Sequence, residues 1–377
     1  MNNKRESQRL AAARKFAASD AERTGIPVVS DEFADAYIEI KGREGSKTTY
    51  RKRVNSLEDV TDAEIQKLIG IARRLPAVAF DALFDPLTIE IMLNPDGKMW
   101  QEKLGSCMTH VCNMRESEAD EFIRKIAGYL KKIISRECPI IEGVLPLDDS
   151  RFAAQIPPIV AHPTFAIRKR AVRVFTLDDY ASSRIISSTQ CDMIRASIAE
   201  KQNIVVVGGT GSGKTTLLNA VLHEITVCEP YARQIIIEDT AELNSTAQNK
   251  VYYTTSETVS MTDLLKMALR MRPDRMIVGE VRGCEAFDLI QAWNTGHPGG
   301  CCSCHSNDSV SSLRRLKSLI SQHDFAPRDI EPDIALAVNV IVNICKFGTE
   351  RRVREIVAVR EYDSNYSKNN GYRLEAL

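Results

Sequence analysis

The chain has 377 residues, of which 44% are hydrophobic, and its 50 basic and 50 acidic side chains give a formal net charge of zero. This length favours two domains, and the neutral total gives no support for direct nucleic-acid reading or for an anionic membrane as an obligate partner. No apolar run reaches the roughly 18 residues that cross a bilayer, and the first residues show no secretory signal pattern. We therefore expect a cytoplasmic protein, and peripheral membrane association stays open.

The amino-terminal half is predicted to hold a tail and one domain. Residues 1–50 are charged and poor in aromatic side chains, which predicts a disordered tail or, over residues 4–23, a helix. Residues 51–170 then combine a capped helix from Thr61, two strands around a turn at 94–97, a helical pattern over 116–136 and proline-broken strands over 140–167. These patterns predict a mixed α+β domain.

The carboxy-terminal half changes to buried strands that alternate with helices. After a predicted linker at 171–183, apolar strands are expected at 203–207, 234–237 and 275–278, with helices at 191–200 and 215–226. Continuous apolar strands that alternate with helices predict a predominantly parallel sheet with both faces covered. The fold class is therefore α/β, with a domain over 184–360 and a carboxy-terminal tail over 361–377.

A glycine-rich loop lies between the first of these strands and the next helix. Its sequence, GGTGSGKT, lets backbone N–H groups turn toward an anion, and the helix amino end adds a favourable dipole. Lys214 is predicted to bind the β- and γ-phosphates, and the Thr215 hydroxyl to bind Mg²⁺. The alternative is a tight glycine turn with an incidental lysine. The predicted nucleotide-binding residues are Gly208, Gly209, Thr210, Gly211, Ser212, Gly213, Lys214, Thr215 and Thr216. This motif predicts a P-loop domain that binds ATP with Mg²⁺ and hydrolyses it.

Two acidic segments follow the loop in the sequence. The first strand ends at Glu238 and Asp239, either of which is predicted to hold the metal through a water, and Glu242 is a further catalytic candidate. In the second segment, Glu280 follows a glycine, and we expect it to activate or orient the attacking water. Taken singly, each segment is equally consistent with a solvated acidic strand end.

Two histidines flank a short cysteine-rich run. An imidazole at His297 or His305 is predicted to hydrogen-bond the γ-phosphate or to relay its presence to the next element. Cys301 and Cys304 form one Cys-x-x-Cys arm of a zinc site, but the sequence offers no second pair nearby. The preferred interpretation is a tight, buried strand in which free cysteines act as small hydrophobes.

In order, these segments resemble the signature series of the type II/type IV secretion ATPase superfamily. GGTGSGKT, IIIEDTAEL, RMRPDRMIVGEVRG and TGHPGG with HSND are similar to its Walker A, Asp, Walker B and His boxes. The segments at 85–97 and 163–169 resemble the conjugative-transfer branch, the TrbB-like ATPases. The resemblance covers about residues 60–358. One departure is Ser303, which stands two positions before His305 where relatives often have threonine.

The resemblance implies a RecA-like ATPase domain in a homohexameric ring, with ATP held between the two domains of a subunit. It also implies that Arg151 and Arg168 reach the phosphates, with Arg270, Arg272 and Arg282 as further candidates. Such an ATPase powers type IV secretion, conjugative transfer or pilus biogenesis together with other machinery subunits at the cytoplasmic face of the inner membrane. Three alternatives stay open: a pilus or type II secretion ATPase, a DNA-translocating motor, and a nucleotide-gated scaffold with little turnover.

Overall fold

The computed structural model describes residues 36–54, 61–103, 105–169, 174–256, 258–348 and 350–377. The chain divides into two compact units, Met1–Arg170 and Ala171–Leu377. The helix predicted over residues 4–23 lies outside the described residues.

The first unit contains a six-stranded antiparallel sheet and a separate hairpin. The hairpin strands are β1 (Ala36–Lys41) and β2 (Thr49–Val54), and the sheet strands are β3 (Thr88–Leu93), β4 (Lys98–Lys103), β5 (Thr109–Asn113), β6 (Ile140–Val144), β7 (Arg151–Gln155) and β8 (Thr164–Arg168). The sheet order is β5-β4-β3-β8-β7-β6. The helices are α1 (Asp62–Ala72), α2 (Ala77–Leu83) and α3 (Glu116–Tyr129). The predicted mixture of helices and strands is thus present in this unit.

Local sequence signals explain several of these elements. Thr61 and Glu64 form the capping box that starts α1. The apolar faces of α1 and α3 pack with Phe80 and Phe152 into one buried core. Helix α3 ends at Tyr129, which is earlier than the predicted end at residue 136.

The predicted tail over 1–50 is wrong for its last part, because residues 36–41 and 49–50 lie in the β1–β2 hairpin. Ile38 and Ile40 are buried in the first core. They alternate with Tyr37 and Glu39, which is the period-two pattern of a half-buried strand. The charge of the surrounding segment outweighed this short signal in the prediction.

The second unit contains an eight-stranded sheet covered by helices. Its strands are β9 (Ile204–Gly208), β10 (Gln234–Glu238), β11 (Lys250–Thr254), β12 (Arg275–Val281), β13 (Cys301–His305), β14 (Val340–Phe347), β15 (Glu350–Tyr362) and β16 (Tyr372–Ala376). Its α-helices are α4 (Leu177–Ser182), α5 (Ser188–Ala199), α6 (Lys214–Cys228), α7 (Met261–Ala268), α8 (Glu285–Asn294), α9 (Ser309–Ile320) and α10 (Glu331–Ala337).

The strand order is β11-β10-β12-β13-β9-β14-β15-β16. The first six strands in this order are parallel, and β15 and β16 add to the edge in antiparallel orientation. The predominantly parallel sheet that the sequence predicts is therefore confirmed. Strand β9 lies between β13 and β14. The connection from β9 to β10 leads toward the β11 side of the sheet, whereas the connection from β13 to β14 leads toward the β16 side. Ligands of open α/β sheets bind at the carboxyl ends of strands at such a point.

Two segments that were predicted to lie outside the ATPase domain, a linker and a tail, belong to the second unit. The predicted linker at 171–183 contains α4, whose Leu177 and Tyr180 are buried in the core. The predicted tail at 361–377 contains β16, which pairs with β15 and buries Tyr372. Both segments are short, so their apolar residues give little periodic signal in the sequence. Among the described residues, no helix is both long and apolar enough to cross a membrane.

Candidate nucleotide-binding site

The glycine-rich loop joins the carboxyl end of β9 to the start of α6. All five residues of β9 are buried, which fixes the strand end beneath the loop. Gly213 has a φ of 96°, a left-handed conformation that glycine adopts without strain, and α6 begins at the next residue. The first N–H groups of a helix have no partners within that helix. The loop and the first turn of α6 therefore present donors and the positive end of the helix dipole to an anion.

The Lys214 side chain folds back onto this loop and is nearly buried. Its Nζ donates to the Gly209 carbonyl at 3.1 Å and lies 3.2 Å from His305 Nδ1. The side chain that the sequence predicts to contact phosphate is thus held against the loop. The structure brings Lys214 and His305 together although 91 residues separate them.

An irregularity between β12 and β13 determines where Glu280 lies. Val278 pairs with Cys302 and Val281 pairs with Cys304, so Gly279 and Glu280 together lie opposite one residue of β13. This two-against-one arrangement is a β-bulge, a feature that re-aims side chains beside active sites. The residue opposite the bulge is Ser303.

The Ser303 hydroxyl compensates for the interrupted ladder. It is buried and donates to the Gly279 carbonyl at 2.6 Å. Without this bond, the buried Gly279 carbonyl oxygen would lack this hydrogen bond in an apolar environment. Ser303, the departure noted in the sequence, is therefore a positioning residue for the neighbouring Glu280.

Glu238 has a structural contact that competes with its predicted role at the metal. It is buried, and its Oε1 accepts hydrogen bonds from the backbone N–H groups of Glu242 and Leu243, each at 2.9 Å. It also packs on Gly279, where a Cβ would come within 2.9 Å of the glutamate Cγ. Glu238 thus holds the loop after β10, and Asp239 is the better placed of the two predicted metal residues.

The Glu280 carboxylate is contacted from both sides. Its Oε2 accepts from Arg282 Nε at 2.7 Å and also from Nη2 of the same guanidinium. Its Oε1 lies 2.9 Å from His305 Nε2. Because His305 also contacts Lys214, a continuous chain of polar side chains joins the phosphate loop to Glu280.

Arg282 lies among carboxylates. Its Nη1 is 3.8 Å from Asp239, in addition to its bonds to Glu280. Burial alone would lower the pKa of Arg282, but the hydrogen bonds to Glu280 and the charges of Asp239 and Glu242 raise it. The predicted site residues Asp239, Glu242, Glu280 and Arg282 are thus brought together.

Three predicted residues lie at the amino ends of the strands, whereas the loop lies at a carboxyl end. His297 precedes β13, and the five residues of that strand, about 13 Å long, separate it from His305 at the loop. Arg270 and Arg272 precede β12, and about 17 Å of that strand lies between its first residue, Arg275, and Glu280. The predicted contacts of these residues with the phosphates stay predictions, because the three residues and the loop of the same chain lie at opposite ends of the strands.

The cysteine-rich run is the buried strand β13, as predicted. Burial raises the pKa of the Cys301 thiol to about 12 and that of the Cys304 thiol to about 11. Such thiols stay protonated and pack as small apolar groups. Within the described ranges, no three or more His, Cys, Asp or Glu side chains form a group that could hold a metal ion.

Two arginines of the first unit are cross-strand neighbours. Arg168 of β8 pairs directly with Arg151 of β7 on one side and with Glu90 of β3 on the other. Burial raises the pKa of Glu90, although the Arg168 charge acts in the opposite direction. Like charges directly opposite each other destabilise a sheet unless an anion compensates them. Arg168 is thus flanked by a like charge on β7 and by a carboxylate on β3.

Sequence reasoning missed Glu285, which shapes the turn after Glu280. Glu285 Oε1 accepts from the backbone N–H groups of Arg282 at 2.6 Å and Gly283 at 2.8 Å. The signal was a carboxylate two residues after a glycine at the end of an apolar strand, a pattern typical of local capping.

The chain matches known proteins over most of its length. The model of the type II/IV secretion system protein family matches residues 113–372. The conjugal transfer protein TrbB of Rhizobium radiobacter is 45% identical over 291 residues, which cover 77% of this chain and 90% of that protein. The type IV secretion system protein PtlH of Bordetella pertussis is 33% identical over 270 residues, covering 62% of this chain and 77% of that protein.

A solved structure has a similar fold. The X-ray structure of the Legionella pneumophila ATPase DotB matches with a TM-score of 0.54 and 19% sequence identity, covering 75% of this chain and 79% of that chain. At this identity the likeness concerns the fold, which is RecA-like in the second unit.

Proposed function

Because this chain belongs to the type II/IV secretion system protein family, we propose that it hydrolyses ATP to power conjugative transfer through a type IV secretion system. It is a nucleotide-binding ATPase of the secretion class. The conjugative branch is favoured over a pilus or type II secretion role because TrbB, the 45% identical relative, is named as a conjugal transfer protein.

One observation carries the catalytic assignment: a single imidazole contacts both the P-loop lysine and the carboxylate on the bulge. His305 lies 3.2 Å from Lys214 Nζ and 2.9 Å from Glu280 Oε1. In this proposal Lys214 binds the β- and γ-phosphates, and Glu280 acts from the side on which the γ-phosphate is attacked. In the reaction, Glu280 accepts a proton from the attacking water or orients that water. The loop N–H groups and Lys214 stabilise the charge on the phosphates.

The remaining site residues act on Glu280 and on the phosphates. A γ-phosphate oxygen near Lys214 would compete with His305 for the ammonium, so His305 can report the presence of ATP to Glu280. Arg282 holds the Glu280 carboxylate by two donors. Glu280 Oε1 lies near His305 but accepts no hydrogen bond from the described residues, so this oxygen is available to the attacking water.

The donors present fit a magnesium ion that accompanies ATP. Thr215 places a hydroxyl in the first turn of α6, and Asp239 offers a partly exposed carboxylate at the end of β10. Mg²⁺ prefers such oxygen ligands and usually keeps several waters and phosphate oxygens in its shell. When bound, it neutralises charge on the transferred phosphoryl group.

The proposal extends to the assembly and to its place in the cell. We infer a homohexameric ring, in which Arg151 and Arg168 of the first unit reach the phosphates, at the cytoplasmic face of the inner membrane with other transfer proteins. The adjacency of these two guanidinium groups on neighbouring strands supports a role in binding a shared anion.

The test uses the full chain and one loop variant. Lys214→Ala should lose ATP binding and ATP hydrolysis, and it should fail to restore conjugative transfer to a strain that lacks the wild-type gene. Light scattering in the presence of ATP and Mg²⁺ should give the mass of a hexamer. Unchanged nucleotide affinity in the variant would overturn the site, and normal transfer by the variant would overturn the motor role.

A further inference from the structure

An arginine of the β14–β15 hairpin contacts the phosphate loop from the side away from Glu280. The pairing of β14 with β9 ends at Asn343 and Val207, so the rest of the hairpin extends past the end of β9. A Cβ on Gly213 would meet Arg351 Cδ at 3.2 Å and Nε at 3.5 Å. Because β13 and β14 flank β9 on opposite sides, Arg351 and His305 approach the loop from opposite sides.

The surroundings of Arg351 leave its charge uncompensated. Arg351 is half-buried and lies on the same face of β15 as Val353, which belongs to the core that includes α6. Within the described parts of the chain, no carboxylate forms an ion pair with it, whereas the next residue, Arg352, pairs with Glu350 at 3.1 Å. A partly desolvated guanidinium without a counterion is unfavourable.

The position of Arg351 adds to this surplus of positive charge. Arg351 lies beside Gly213, the residue that caps the amino end of α6, and a cation is disfavoured at that end of a helix. Lys214 lies at the same helix end. Two cations and the positive end of a helix dipole are stable together when an anion lies between them.

We propose that Arg351 is a nucleotide-binding residue whose guanidinium donates hydrogen bonds to the phosphates that ATP and ADP share. This inference rests on the proposed function, because it requires a nucleotide in the loop. Glu280 and His305 lie on the side of the γ-phosphate, and Arg351 lies on the opposite side, so it holds substrate and product alike. It therefore sets how tightly ADP is retained after hydrolysis.

The test is equilibrium binding of ADP and of the non-hydrolysable analogue AMP-PNP to the full chain. Arg351→Gln should weaken both ligands by about tenfold or more and to the same extent, as expected for a lost hydrogen bond between charged groups. Arg351→Met keeps the apolar stem that packs beside Gly213 and should show the same loss. Arg352→Gln is the matched control and should change neither affinity by more than about twofold.

The outcomes separate this proposal from the proposed function. Unchanged affinities in both Arg351 variants, or a loss confined to AMP-PNP, would overturn the assignment of Arg351 while the ATPase site stands. If the wild-type chain binds neither ligand, the proposed function itself fails. Melting temperatures of the variants, measured without nucleotide, show whether a loss of binding reflects unfolding.

Discussion

His305 Nε2 lies 2.9 Å from Glu280 Oε1, and Nδ1 of the same ring lies 3.2 Å from Lys214 Nζ. One imidazole thus contacts both the lysine that we propose binds phosphate and the carboxylate that we propose activates water. In the proposed mechanism, a bound γ-phosphate changes the partners of Lys214, and this change reaches Glu280 through His305.

Replacing this imidazole should affect turnover more than binding. His305→Ala should lower kcat by about tenfold or more, while the affinity for ADP stays within about twofold, because the contact concerns the γ-phosphate side. Steady-state hydrolysis and ADP titration measure the two effects. A large loss of ADP affinity with unchanged kcat would assign His305 to ground-state binding instead.

Ser303 offers a second test of how Glu280 is positioned. Ser303→Ala removes the donor to the Gly279 carbonyl, which leaves a buried acceptor unpaired at a cost of about 1–3 kcal/mol and frees the bulge. We expect a lower kcat with nearly unchanged ATP affinity, measured by hydrolysis and titration.

Ser303→Thr is the matched variant for this test, because it restores the hydroxyl. It should recover most of the wild-type kcat. If the alanine and threonine variants have equal kcat values, the hydroxyl does not position Glu280.

The phosphate loop could be predicted from sequence because all of its functional atoms lie in one short segment. Glu280 could be selected for the same reason, as an acid at a strand end. The bulge opposite Ser303 could not be predicted from the sequence, because it depends on the register between β12 and β13. Long-range contacts such as Arg351 with Gly213 depend on the sheet order, which local patterns do not encode.

Arg275 should be a stabilising residue of the second unit. Its buried guanidinium donates to Glu229 at 2.9 Å and to the carbonyls of Gly299 and Ile198 at 2.8 and 3.0 Å. Arg275→Met leaves these acceptors unpaired and should lower the free energy of unfolding by about 3–5 kcal/mol.

The measurement is urea unfolding followed by Trp293 fluorescence in a Trp100→Phe background, since the chain has 2 tryptophans. Arg272→Met, at an exposed arginine, is the control and should change stability by less than about 0.5 kcal/mol. Equal midpoints for both variants would show that the Arg275 contacts do not stabilise this unit.

Glu118 predicts a pH dependence in the first unit. Hydrogen bonds from Arg115 and Arg43 outweigh burial and lower its pKa from 4.5 to about 2. A lowered pKa in the folded state stabilises the fold above pH 4.5, and that contribution is lost as the pH falls toward 2.

Glu118→Gln should therefore be less stable than the wild type at neutral pH, with a difference that shrinks on acidification. Unfolding followed by Trp100 fluorescence in a Trp293→Phe background reports this unit. A difference that stays constant from neutral pH down to pH 2 would contradict the ion-pair account.

The most direct test of the account is single-turnover ATP hydrolysis by Glu280→Gln beside the wild type, with ATP affinity measured on the same samples. The amide keeps the size of the side chain but cannot accept the proton of the attacking water. We predict retained ATP binding and a hydrolysis rate lower by about 10²–10⁴-fold. Hydrolysis within about twofold of the wild-type rate, with ATP bound equally well, would contradict the assignment of Glu280 and with it the catalytic site described here.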